Sequence, residues 1–183
     1  VLITNQVVGK RKLDLFVELS KRAEISICVD NTQNVIDINE HAVTWGEKVG
    51  VLVEVNVGGD RCGVSPGEST LELAKQIEAA SNLNFLGLHA YQGRVQHIRP
   101  FQERKEAIEA LSGDLMETLR LLNDKCITSE HVTVSGHGTW QLDGASNVFT
   151  VLQAGSYAFM EADYARNEDV DVATRGECQH SLC

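Results

Sequence analysis

The chain has 183 residues, 43% of them hydrophobic, which is the length of one domain with enough apolar material for a sizeable core. Its 26 acidic residues against 16 basic ones leave a net charge of -10, with no basic run and no interleaved aromatics, which argues against nucleic acid and membrane surfaces as partners. No apolar stretch approaches the roughly 18 uninterrupted residues of a membrane span, so a soluble protein is expected.

In chain order, apolar runs of four to eight residues alternate with longer stretches of helical period. The opening VLITNQVVG lacks an initiator Met and has neither signal-peptide nor transit-peptide character. It reads as a strand at Val1–Thr4, so the chain is expected to be the interior of a longer polypeptide. A helix near Lys10–Ala23, a strand over Ile25–Asp30 and a helix near Thr32–Lys48 follow. Strand Val49–Val57 leads to a helix opened by SPGES at Ser65–Ser69, with Ser65 suited to the cap and Pro66 to the first turn. Strand Phe85–Tyr91 leads to a long helix near Pro100–Leu122, strand His131–Ser135 to a short connector, and strand Phe149–Gln153 closes the series. Six βα-type units in a row predict an α/β fold with parallel strands and helices outside them.

Side-chain parity chooses between a doubly wound sheet and a (β/α)8 barrel. A strand covered by helices on both faces is apolar throughout, whereas a barrel strand turns one face to the lumen. In VLVEVNV the valines Val51, Val53, Val55 and Val57 share one face and Glu54 and Asn56 the other. Ile25, Ile27 and Val29 oppose Ser26, Cys28 and Asp30; Leu86, Leu88 and Ala90 oppose Gly87, His89 and Tyr91; Val132 and Val134 oppose Thr133 and Ser135. The polar positions gather at the C-terminal ends of the strands, where barrel enzymes place their chemistry. The sequence therefore predicts an incomplete (β/α)8 barrel of about six units over residues 1–165. Two further strands are expected before Val1, and residues 166–183 read as a connector toward another domain.

Two turns stand out. SGHGT (Ser135, Gly136, His137, Gly138, Thr139) and GSY (Gly155, Ser156, Tyr157) each follow a strand and offer backbone amides and hydroxyls at close range. A glycine turn lets the main chain approach an anion, and strands seven and eight of a barrel are a common phosphate position. Tight-turn formation explains such tripeptides when they occur singly; their pairing after consecutive strands points to a bound phosphate. GGDRCGVSPGE places Arg61 in a loop at the barrel mouth, where its planar cation suits a phenolate or carboxylate, although a solvated loop arginine is the plainer reading. GLHAYQGRVQH sets His89 and Tyr91 on one face with Gln96 and His97 just beyond. Asp30 and Glu54 form either a carboxylate pair or two hydrogen-bonded lumen residues. Five cysteines (Cys28, Cys62, Cys126, Cys178, Cys183) without C-x-x-C spacing predict a reducing compartment, intracellular and cytoplasmic by default, and no disulfide. CQHSLC supplies too few ligands for a zinc site, and no metal ligand is assigned within the chain.

Taken together, NQVVG, VDN, VEVNVGGDRCGVSPGE, GLHAYQGRVQH and LQAGSYAFMEADYARN resemble the D-threonine aldolase and D-serine dehydratase group, pyridoxal-phosphate enzymes built on the alanine racemase N-terminal barrel. The likeness runs from Val1 to about Asn167 and is nearest to the aldolase branch. It implies that SGHGT and GSY hold the cofactor phosphate, that Arg61 lies by the phenolic oxygen of the pyridoxal ring, that His89 and Tyr91 lie near the ring, and that Gln96 and His97 line the substrate side. The activity implied is cleavage of the Cα–Cβ bond of a β-hydroxy-D-amino acid to glycine and an aldehyde, with the ring as electron sink. D-serine dehydratase chemistry, giving pyruvate and ammonia, and a non-catalytic pyridoxal-phosphate carrier are the alternatives. The family's Schiff-base lysine motif has no counterpart here, and its divalent metal is held by a His-x-Cys pair in a C-terminal β domain. Both are therefore expected outside these residues, in an intact enzyme expected to be a homodimer.

Overall fold

The computed structural model describes residues 1–134, 136–156 and 162–168. The strands are β1 (Leu2–Ile3), β2 (Ser26–Val29), β3 (Val49–Glu54), β4 (Leu83–Ala90), β5 (His131–Val134) and β6 (Val151–Leu152); the helices are α1 (Lys10–Ser20), α2 (Thr32–Trp45), α3 (Glu68–Ala79), α4 (Phe101–Asp124) and α5 (Trp140–Ala145). All six strands pair in parallel in the order β1-β2-β3-β4-β5-β6. A doubly wound sheet reverses its strand order at a switch point. This sheet never does, so right-handed crossovers leave every helix on the same side and the sheet curls as part of a barrel.

Local chemistry explains the elements. Helix α2 starts where the Asn31 side chain accepts the Asn34 N–H at 2.9 Å, and it ends at Gly46 in the left-handed conformation. Its buried Val35, Ile38 and Ala42 recur at helical spacing and pack on the outer face of the sheet. That face contributes Ile27, Val29, Val51, Val53 and Val55 to the main core, against Leu13, Phe16, Leu71, Ile77 and Leu115 from the helices. The valine parity of β3 thus points outward, and the lumen receives Cys28, Glu54 and His89, all buried.

Two expectations are corrected. Helix α3 begins at Glu68 behind Gly67, without a side-chain cap. The Ser65 carbonyl instead accepts the Thr70 hydroxyl at 2.9 Å, and the Gly67 N–H donates to Thr118 Oγ1 of α4 at 2.9 Å, so a neighbouring helix satisfies the start. In β4, Leu86 joins the lumen side, since a Cβ on Gly50 would meet both Leu86 and Ser26. The pairing with β3 jumps from Val51↔Phe85 to Leu52↔Gly87, and this bulge inverts the parity beyond it. His89 consequently still pairs with Glu54.

Of the expected connector, residues 166–168 lie among the described ones and fold back on the barrel. The Arg166 and Asn167 N–H groups bond to Asp163 and Tyr164, and the Glu168 N–H donates to the Arg99 carbonyl at 2.9 Å. Ser135, Tyr157, Cys178 and Cys183 lie outside the described residues. Among those described, Cys28, Cys62 and Cys126 are free thiols, and no helix is long and apolar enough to cross a membrane.

Candidate active site

Parallel strands deliver their C-terminal loops to one rim, and the rim carries two cavities. The first, of about 340 Å³, is lined by Glu54, Arg61, Tyr91 and His97 among others. Its electrostatics turn on Glu54, which is 3% exposed. One carboxylate oxygen accepts from the Gln6 side chain and the other from the Arg61 guanidinium at 3.3 Å. Arg61 also lies over the Tyr91 ring, 5.2 Å from its centroid, which holds a permanent cation and an aromatic face side by side. The His89 ring lies nearly parallel to that of Tyr91, 6.5 Å between centroids and 13° between planes. Burial disfavours protonation of His89 and Glu54 opposes that effect, with the net result downward.

Tyr91 is the partition between this cavity and a second one of about 370 Å³, which Gln96, Gly136, His137, Gly155 and Ser156 also line. The two Gly-rich turns after β5 and β6 therefore open into a single space. Among the described residues, no hydrogen bond claims the N–H of Gly136, His137, Gly155 or Ser156. Gln96 props the first turn. A Cβ on Gly136 would overlap the Gln96 side chain, and one on Gly138 its main-chain carbonyl. The Gln96 amide donates to Tyr91 Oη at 3.3 Å and its oxygen accepts from the Gly138 N–H at 3.4 Å. Thr139 is turned away from the cavity: its hydroxyl donates to Asp143 Oδ2 of α5 at 2.6 Å. The turn has a free main-chain face and a rigid back, as an anion cradle requires. His137 Nδ1 is buried without a hydrogen-bond partner, a further polar atom left over at this rim.

The Cys28, Glu54 and His89 ligand atoms lie within 4.8 Å of one another, a metal-like spacing. Their charges argue otherwise. Arg61 already neutralises Glu54, and burial together with the Glu54 charge pushes the Cys28 thiol up, which opposes the thiolate a metal needs. The trio is better suited to holding ring and cation in place than to binding a second cation.

The sequence reading missed a further layer. Gln153 lines the second cavity and donates to Thr133 Oγ1 at 3.0 Å, a lumen position legible from strand parity. The 162–168 segment returns over the Val95–His97 turn, where Asp163, Tyr164 and Asn167 bond to His97, Arg99 and Gln96. No local pattern signals that return, because its contacts cross more than 60 residues of chain.

Fold and rim define a class: a parallel α/β barrel whose last two described loops present unused amides beside an Arg–Tyr pair. The chain belongs to the family of the alanine racemase N-terminal domain, whose profile matches residues 7–163. It is 44% identical over 166 residues to the D-threonine aldolase of Arthrobacter sp, covering 91% of this chain and 44% of that protein. It is 38% identical over 185 residues to the 3-hydroxy-D-aspartate aldolase of Paracoccus denitrificans (strain Pd 1222), covering 100% of this chain and 48% of that protein. The crystal structure of D-threonine aldolase from Filomicrobium marinum superposes with a TM-score of 0.91 at 41% identity, over 93% of this chain and 46% of that one. The chain therefore spans less than half the length of the relatives it matches.

Proposed function

We propose that this chain forms the cofactor-binding part of a pyridoxal-phosphate lyase that cleaves β-hydroxy-D-amino acids to glycine and an aldehyde. The observation that carries this reading is the convergence of the Gly136–Gly138 and Gly155–Ser156 turns on one cavity, beside the Arg61–Tyr91 pair. The residues fit the group: unused amides meet a phosphate, and an Arg and an aromatic ring meet a phenolic pyridine. In this reading the Gly136, His137, Gly155 and Ser156 amides cradle the phosphate, Gly138 closes the turn with its N–H held by Gln96, and Thr139 braces it through Asp143. Arg61, held by Glu54, faces the phenolic oxygen, and His89 and Tyr91 support the ring. A bound pyridoxal ring takes up the electron pair released at Cα.

Gln96 and His97 stand on the substrate side. Retro-aldol cleavage requires the β-hydroxyl proton to leave as the Cα–Cβ bond breaks, and an imidazole is the side chain suited to accept it near neutral pH. The seven lysines lie in helices or beside them, and none lines either cavity. This reading looks for the cofactor lysine and the divalent metal in residues outside these 183, and it takes the intact enzyme to be a homodimer. The names of the relatives select the substrates to try, D-threonine and 3-hydroxy-D-aspartate. Full-length protein loaded with pyridoxal phosphate is expected to release glycine from one or both, with acetaldehyde or glyoxylate. Pyruvate and ammonia from D-serine would favour a dehydratase. Cofactor binding without any product would favour a carrier.

A further inference from the structure

We infer that Asp163 is a positioning residue for His97, fixing the ring nitrogen that faces the substrate. The inference rests on the lyase reading above for its chemical consequence, but its geometry stands independently. His97 Nδ1 lies 2.7 Å from Asp163 Oδ2. That carboxylate is itself immobilised, because Arg99 Nη2 donates to both its oxygens at 2.8 and 2.9 Å and Arg99 Nη1 donates to the Asp163 main-chain carbonyl at 2.8 Å. The guanidinium thus holds the residue at its carboxylate and at its main chain, with charge-assisted hydrogen bonds to the carboxylate oxygens. The arginine, followed by His97, holds the Asp163 carboxyl below its ordinary range. Ionised Asp163 has no proton to give, so His97 Nδ1 must be the donor. Neutral His97 is then protonated at Nδ1 and carries its lone pair on Nε2. The ring lines the Arg61 cavity, and Nε2 is the nitrogen left for a substrate hydroxyl.

The ring plane is fixed as well. Tyr164 stacks on His97 with 5.3 Å between centroids and an interplanar angle of 17°. The Asn167 amide donates to the Gln96 carbonyl at 2.9 Å and Arg99 Nη1 to Asn167 Oδ1 at 2.7 Å, so both sides of Asp163 are tied to the turn that carries His97. Tyr164, Asn167 and Arg99 would serve packing alone equally well. What packing does not need is a carboxylate aimed at one ring nitrogen, since any hydrogen-bond acceptor or apolar contact would close that gap.

The test uses full-length holoenzyme with 15N-labelled histidine, His97 being assigned by comparison with His97→Gln. In the wild type, His97 is expected to show the Nδ1–H tautomer. In Asp163→Asn, whose amide can donate to Nδ1, the Nε2–H form is expected to appear, and kcat for glycine release should fall roughly 10- to 100-fold, part of the 10²–10⁴ that a positioned base supplies. KM should stay within about twofold. Asp163→Glu, which keeps the charge, should restore the Nδ1–H form and part of kcat. An unchanged tautomer in Asp163→Asn overturns the inference, whatever happens to the rate, and so does an unchanged kcat in Asp163→Asn when the wild type makes glycine. If the wild type makes no glycine from either substrate, the lyase reading fails while the tautomer measurement still decides the Asp163–His97 pair.

Discussion

Asp143 sets burial against charge at the back of the SGHGT turn. Its side chain is fully buried, Thr139 donates to one oxygen, and the other has no partner. Burial pushes its pKa up to about 7, with the Thr139 hydrogen bond pulling the other way. A carboxyl raised on folding contributes stability that is complete below its ordinary value and is lost as pH rises through about 7. Asp143→Asn keeps the acceptor and removes that loss, so the variant should gain on the wild type between pH 5 and pH 8 by about 2–3 kcal/mol, the rest of the loss falling between the ordinary aspartate value and pH 5. Urea midpoints at the two pH values measure this, and a difference independent of pH would contradict it. Gly138 is constrained from the other side of the turn, since a Cβ there runs into the Gln96 main chain, which has no rotamer to move. Gly138→Ala should therefore cost about 1–3 kcal/mol by overpacking. It should also weaken pyridoxal-phosphate binding, read by absorbance titration, because Gln96 also holds Tyr91.

At the scale of elements, the alternation of β3 and the Gly-rich loops are local signals, and both were legible. Val51, Val53 and Val55 line up as core and Glu54 as lumen because a strand's parity is fixed over a few residues. Leu86 was not legible, since the bulge that turns it inward is a property of the β3–β4 pairing and no feature of FLGLHAY marks it. Ser65 looked like a cap, but the partner that satisfies the α3 start is Thr118, 51 residues away from Gly67. The Arg99–Asp163 clamp was illegible for the same reason. Strand β4 also yields a prediction. At Gly87 the backbone takes φ +139, and a Cβ would overlap the His131 carbonyl oxygen on β5. Gly87→Ala must either open the β4–β5 ladder or unwind the bulge that keeps His89 against Glu54. A loss of about 2–4 kcal/mol is expected in chemical denaturation, among the larger single-residue effects. A wild-type midpoint would show that the bulge relaxes freely.

For the molecule as a whole, the decisive feature is a sheet that advances six strands in one direction without closing among the described residues. β1 pairs with β2 alone and β6 with β5 alone, so each leaves a row of main-chain donors and acceptors on its outer side. Val1, Val151 and Leu152 beside those edges are exposed at 83%, 37% and 40%. Such edges pair with one another unless something opposes them. The opposing force here is the net charge of -10, which repels a second copy over the Debye length, about 30 Å in 0.01 M salt and about 3 Å in 1 M. A polypeptide of these 183 residues alone should therefore be dispersed at low salt and associate as salt is raised, the reverse of assembly through ion pairs. Light scattering across that salt range, with a heat melt at each end, measures the balance. A monodisperse species with one sharp cooperative transition at high salt would mean that the edges are covered, and that the barrel wall needs no further strands to be stable.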